Sequence, residues 1–340
     1  MAQLKYLEDL GITALAIDSY SGIYQGQKYS ELQEPLDVIA QQIQKTGLKF
    51  FNVMCLTLPR ALLPVTEDNY SEEKRRDFDL SFETLDQLVA YSGHYWNNPN
   101  YLHINGRPTM AVYGLTGPRI REFRQHFTQT LPRELKREMS NAIAPWIQVT
   151  AGSLFGKNPF MIGIAEVPWM ATVLDQMGFD LITTMCGLPD FIFARSKQVI
   201  DPNSQPVQEY LDLLAKRVDE WYRFDDLLLN TKFVPSLTVG YNPQGRIMIS
   251  NHSKAEGIRD YPFYPVVRDP KPEELKTALE GVALYLSSIA HSLAEQAIPP
   301  IYFIFAANEV GLGACLYREL LEGKKIDKLP NVVRDYFKNL

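Results

Sequence analysis

The chain has 340 residues, of which 46% are apolar and 22% charged, enough to bury one large core or two smaller ones. A net charge of −6 supplies no positive field for a phosphate backbone, which argues against nucleic acid as the main partner. No run approaches the ~18 apolar residues needed to cross a bilayer, and the opening residues lack a signal-peptide core, so no membrane span is expected and the cytoplasm is favoured.

Periodicity predicts helices alternating with short apolar strands. A helix from Ala2 to Leu10 leads to a strand from Ile12 to Ile17, with Asp18, Ser19 and Tyr20 just beyond it. A helix from Pro35 to Lys45 precedes a strand from Leu48 to Cys55. A helix from Phe82 to Tyr91 is followed by a turn at Asn105-Gly106 and a strand from Thr109 to Tyr113. Strands are then expected over Trp146–Thr150 and Met161–Ala165, the second ending at Glu166. A helix over Pro168–Met177 and a strand over Leu181–Thr184 follow. The second half reads as helix Val207–Tyr222, strand Phe233–Thr238, helix Pro272–Glu295, strand Ile301–Ala306 and a closing helix, Pro330–Leu340.

Three junctions, Leu10-Gly11-Ile12, Thr46-Gly47-Leu48 and Met177-Gly178-Phe179, put a glycine where a left-handed residue would end a helix and return the chain as a strand. Repeated returns of this kind imply parallel strands with covering helices. The number of units suits an α/β (β/α)8 TIM-type barrel, read as one domain over residues 1–340. The chain opens on what reads as the first helix, as if strand 1 were lacking or truncated. The long polar segments 56–80 and 240–271 suit lids or substrate walls.

Acids at strand ends carry the chemical signal, because a barrel keeps its chemistry at the C-terminal ends of its strands. Glu309 ends the apolar run Ile301–Ala307 with Asn308 before it; Glu166 and Asp18 each follow another strand-like run. Cleaving a glycosidic bond needs one group to donate a proton and another to attack, or to activate the attacker. Tyr20, Tyr24, Tyr95, Trp96, Tyr113, Trp146, Trp169 and Tyr241 fall near these ends, and aromatic platforms with polar tips suit sugars.

Other motifs fail on context. Gly152–Asn158 nearly spells a phosphate loop, but Asn158 stands where Ser or Thr would hold magnesium, and no helix is expected to follow. Gly311-Leu312-Gly313 lacks the third glycine and the βαβ unit of a dinucleotide site. The five histidines and three cysteines show no ligand spacing, so neither metal nor cofactor is expected, and Cys55, Cys186 and Cys315 read as buried thiols.

The stretch Pro99-Asn100-Tyr101-Leu102-His103-Ile104-Asn105-Gly106-Arg107-Pro108, before a strand ending in Tyr113, resembles the hairpin of the glycoside hydrolase family 99 and WbsX-like group. Leu10-Gly11-Ile12 with Tyr20, Gly178-Phe179-Asp180, Phe233-Val234-Pro235-Ser236 with Gly240-Tyr241, and Asn308-Glu309 fit further blocks of that group in order. The resemblance implies a barrel acting on α-linked mannose-type glycans or polysaccharides, by hydrolysis or in polysaccharide assembly alongside glycosyltransferases. It implies Glu309 as the general base that takes a proton from the sugar's 2-hydroxyl. The group's second Glu, the proton donor, is matched by Leu312, and Val310 replaces its tryptophan. Leucine donates no proton. The expected catalytic residues are therefore Glu309 and Glu166, with Asp18, Tyr20, Tyr113, Trp169, Tyr241 and Asn308 binding substrate. The alternative is a carbohydrate-binding pseudoenzyme.

Overall fold

The computed structural model describes residues 2–20, 23–24, 27–28, 34–55, 82–113, 143–165, 168–184, 207–237, 266–268, 270–295, 304–305, 308–309, 314–315 and 328–338. The helices are α1 (Ala2–Asp9), α2 (Glu34–Gln42, running into a 3-10 turn Ile43–Lys45), α3 (Phe82–Gly93), α4 (Ile143–Phe155), α5 (Pro168–Gln176), α6 (Tyr210–Leu227), α7 (Pro272–Glu295) and α8 (Lys328–Lys338). The longer strands are β1 (Ala14–Tyr20), β4 (Lys49–Cys55), β6 (Arg107–Tyr113), β7 (Phe160–Ala165), β8 (Leu181–Thr184) and β10 (Lys232–Val234). Two-residue strands complete the set: β2 (Ile23–Tyr24), β3 (Gln27–Lys28), β5 (His103–Ile104), β9 (Val207–Gln208), β11 (Ser236–Leu237), β12 (Val266–Val267), β13 (Ile304–Phe305), β14 (Asn308–Glu309) and β15 (Ala314–Cys315).

The parallel strands sit in chain order, β1-β4-β6-β7-β8-β10, with β5 antiparallel to β6. Pro235 interrupts the next stretch because it has no N–H to give a ladder. Before it β10 pairs with β8, and after it β11 pairs in parallel with β13. The hydroxyls of Thr184 and Ser236 bridge this break, 2.9 Å apart, and Ser236 Oγ also donates to the Thr184 carbonyl at 3.0 Å. A doubly wound sheet reverses its order midway. Here the winding never reverses among the described strands, so right-handed crossovers put the connecting helices on one face and the sheet curls into a barrel.

One hydrogen bond identifies the outer face. Asn52 of β4 donates through Nδ2 to Ser92 Oγ of α3, so Asn52 and its register partners Ile17 and Met110 face the helices. Gly163 of β7 lies on that face too: a Cβ there would stand 3.1 Å from Leu174 of α5. The alternate residues Asp18, Val53, Ala111 and Ile162 therefore face the lumen.

Buried carboxylates and rings fasten the shell. Asp175, at 3% exposure, accepts from the N–H groups of Leu229 (3.2 Å), Asn230 (2.9 Å) and Thr231 (3.0 Å) and from Asn230 Nδ2 (3.0 Å), fixing the loop that feeds β10. Phe233 of β10 stacks on Phe224 of α6 at 4.6 Å, and Tyr285 of α7 donates to the Phe233 carbonyl at 3.4 Å. Asn105 (φ 53°) and Gly106 (φ 73°) form the predicted two-residue turn between β5 and β6.

Several expectations are corrected. Trp146–Thr150 is helical: Ala144, Ile147 and Ala151, all fully buried, recur at helical spacing, and this burial outweighs the strand propensity of Val149 and Thr150. The near phosphate loop thus begins inside a helix, not after a strand, and turns at Gly156 (φ 63°). Val207 belongs to a parallel pair with Val266, not to the following helix. Strand β1 starts at Ala14 and includes Asp18, Ser19 and Tyr20. Gly11 and Gly178 are left-handed at φ 84° and 80°, but Gly47 is not among the positive-φ glycines. Gly47 instead brings its N–H to within 2.6 Å of Glu8 Oε1, where a Cβ would stand 2.7 Å from the same oxygen. Segment 56–80 and residues 240–265 lie outside the described residues.

Candidate functional site at the C-terminal rim

In an eight-stranded barrel of shear eight, neighbouring strands slip by about one residue, and alternate strands supply each layer of lumen side chains. Asp18 pairs with Val53, and Val53 with Ala111. Two strands on from β1 the slip amounts to about two residues, so Tyr113 reaches the height of Asp18 on the same face. Asp18 and Tyr113 are each half-buried. Tyr20, described by backbone position, is in register with Cys55 and, through it, with Tyr113.

One strand further, Ala111 pairs with Ile162, and the same slip brings Ala165 to the height of Asp18. Glu166 follows Ala165 in the chain and, like Tyr241, lies outside the described residues. Trp169 is the second residue of α5, on the helix that leaves the C-terminal end of β7.

Asn308 and Glu309 do not continue β13. They form β14, antiparallel to β15, with Asn308 opposite Cys315 and Glu309 opposite Ala314. Glu309 thus stands on a hairpin beyond the end of β13, joined to β15 by residues 310–313. Leu312 lies in that connection, outside the described residues.

Two lumen positions escape a reading of the sequence alone. Cys55, a thiol outside any disulfide and 1% exposed, ends β4 between Tyr20 and Tyr113. Thr183, 1% exposed, donates through Oγ1 to the Val234 carbonyl at 2.7 Å. The signal for both is strand parity, which becomes readable once Asn52 is known to face a helix.

Three of the aromatic candidates leave the rim. Tyr95 and the fully buried Trp96 sit in the approach to β6 at the opposite end, where Trp96 meets Phe155 edge-on and Tyr95 meets Phe50. Trp146 lies on an outer helix: its Nε1 donates to Asp86 Oδ1 at 3.1 Å, and Thr150 Oγ1 reaches the same oxygen at 2.9 Å. Among the described residues no group of three or more His, Cys, Asp or Glu is placed to hold a metal ion. No helix of the described residues is long and apolar enough to cross a membrane.

No protein-family model matches the chain, and no curated protein does. Solved structures do. The GH99 endo-alpha-mannosidase from Bacteroides thetaiotaomicron is similar with a TM-score of 0.50 at 12% identity, over 99% of this chain and 78% of that one. The same enzyme in complex with bis-tris-propane gives 0.47 at 12% identity, over 99% and 81%. The first of these establishes the fold, an α/β barrel of the GH99 kind, and at this identity the fold alone.

Proposed function

We propose that the chain is a glycan-processing barrel enzyme that acts on glycosidic bonds of α-linked mannose-type glycans, with Glu309 as general base. One observation carries the reading: a singly wound parallel barrel gathers Asp18, Tyr20 and Tyr113 at strand C-termini, with Glu309 on a hairpin past the last of them. The GH99-like fold supports the substrate class. Glu309 would take the proton of the attacking hydroxyl, and Asn308, Tyr20, Trp169 and Tyr241 would orient the sugar. Glu166 is retained as a second carboxylate in this scheme.

A second reading follows from Leu312, which stands where the resembling group keeps its proton donor. On that reading the cleft binds glycans without turnover. Incubation with α-linked manno-oligosaccharides, read as new reducing ends, separates the two. Turnover by the wild type that falls about 10²–10⁴-fold in Glu309→Gln supports the enzyme. Binding without turnover, with hydrolysis gained in Leu312→Glu, supports the decayed site. No binding and no turnover overturns both.

A further inference from the structure

The proton donor that Leu312 cannot supply has a candidate on β1. We propose that Asp18 is the acid of the pair, donating a proton to the departing glycosidic oxygen, with Tyr113 as its positioning residue. This rests on the glycan reading above.

Three observations converge on Asp18. It lies inside β1 and not in the loop beyond, so its backbone is held by the parallel ladder to β4, residue for residue from Ala14 to Tyr20. A group held on a strand keeps its position more closely than one on a loop. It faces the lumen, because its neighbour Ile17 is in register with helix-facing Asn52. On the same lumen face, two strands on, Tyr113 is in register with Tyr20 through Cys55, and the slip of a TIM-type barrel brings it level with Asp18.

The winding brings the end of β1 towards that of β13, the strand that precedes Glu309 in the chain. In the ring the parallel strands run from β1 to β13, so closure sets those two ends against each other. With β10 and β11 counted as one interrupted strand, an eight-stranded ring leaves room for one strand between them. Two strand spacings put the backbones of β1 and β13 about 10 Å apart, and Glu309 follows β13 in the chain on its own hairpin. β7, which Glu166 follows in the chain, has β8 and the β10–β11 strand between it and β13.

The step balances. The bond between the anomeric carbon and the glycosidic oxygen breaks, its electron pair stays on that oxygen, and the oxygen takes the proton of Asp18. The anomeric carbon gains a bond from the sugar's 2-oxygen, whose proton passes to Glu309, and an anhydro-sugar forms. Water then opens it at the anomeric carbon and gives its proton to Asp18, while Glu309 returns its proton to the 2-oxygen, so both groups are restored.

Leaving-group dependence tests the assignment. The probes are an α-linked mannotetraose, whose alcohol needs a proton to depart, and α-mannobiosyl fluoride, whose fluoride does not. In Asp18→Asn the mannotetraose rate is expected to fall at least about 100-fold and the fluoride rate less than about 10-fold. The alkaline limb of the wild-type pH profile on mannotetraose should disappear with it. Tyr113→Phe should show the same asymmetry at smaller amplitude, and a melting temperature near that of the wild type confirms that each variant folds. Equal losses on both probes, or full activity on mannotetraose, overturn the role of Asp18 alone. The asymmetry appearing in Glu166→Gln instead hands the role to Glu166. A wild type inert on both probes overturns the enzyme reading and this inference together.

Discussion

Arg107 and Asp180, 73 residues apart, meet in a two-pronged ion pair, Nη1 to Oδ1 at 2.7 Å and Nη2 to Oδ2 at 2.8 Å. Nη2 and Nε of the same guanidinium donate to the carbonyls of Pro159 (2.6 Å) and Asn158 (3.2 Å), and Asp180 Oδ2 accepts the Met161 N–H at 2.8 Å. One pair therefore ties together the starts of β6, β7 and β8, at the end of the barrel away from the rim. Arg107 and Asp180 both stand in blocks that carry the resemblance to glycoside hydrolase family 99, so those blocks specify how the barrel is assembled. They say little about its chemistry.

Arg107→Lys should cost stability and spare the rim. A lysine keeps the charge but cannot reproduce the paired hydrogen bonds or the stacking of the guanidinium over Phe160, 5.4 Å from the ring centre. A loss of about 1–3 kcal/mol is expected in denaturant unfolding. Binding of manno-oligosaccharide by the folded variant should be unchanged, and a loss of binding at full stability would refute the division between the two ends.

Asp175→Ala should be more damaging. It strands the N–H groups of Leu229, Asn230 and Thr231 without their acceptor at a position only 3% exposed. The expected loss is about 2–4 kcal/mol. Hydrogen exchange should report it first in the 228–231 loop and in β10, and uniform exchange across the chain would contradict a local clamp.

Acid lability is expected from the start of α7. The N–H of Lys271 holds the Glu274 carboxyl below its ordinary value of 4.5; burial opposes this, and Arg268 adds to the lowering. A folded-state value below the unfolded one gives stability that is full above about 4.5 and is lost as pH falls through the folded value. Asp225 has the opposite sign. Burial pushes it above its ordinary 3.8, Lys232 at 4.0 Å opposes, and nearby Asp226 adds to the rise, so its contribution is lost as pH rises through that window. Melting temperatures between pH 3 and 7 should therefore show Glu274→Gln losing less than the wild type on acidification; parallel curves would deny the linkage.

How much of this was legible depended on range. Pro272 at the first helical position and Glu274 two residues later announce the start of α7, and its predicted bounds hold. Strand order followed from repeated αβ returns, two of them through left-handed glycines at Gly11 and Gly178. The helix containing Trp146 was hidden because Val149 and Thr150 favour strands locally, and only packing against Asp86 and the core reveals its period. Asp18 looked like a loop acid because Ile12 seemed to start its strand. The side of the sheet it faces depends on Asn52 meeting Ser92, a contact 40 residues apart that no local pattern encodes.

The central claim is that sugars bind and react at the rim where β1, β6 and β13 end. It is tested most directly by an experimental structure of Glu309→Gln soaked with an α-linked mannotetraose. The expected result is the oligosaccharide lying across that rim, its scissile oxygen on the side of Asp18 and the residue at 309 beside the 2-hydroxyl of the adjoining sugar. An oligosaccharide bound elsewhere, or an empty rim at saturating sugar, would contradict it.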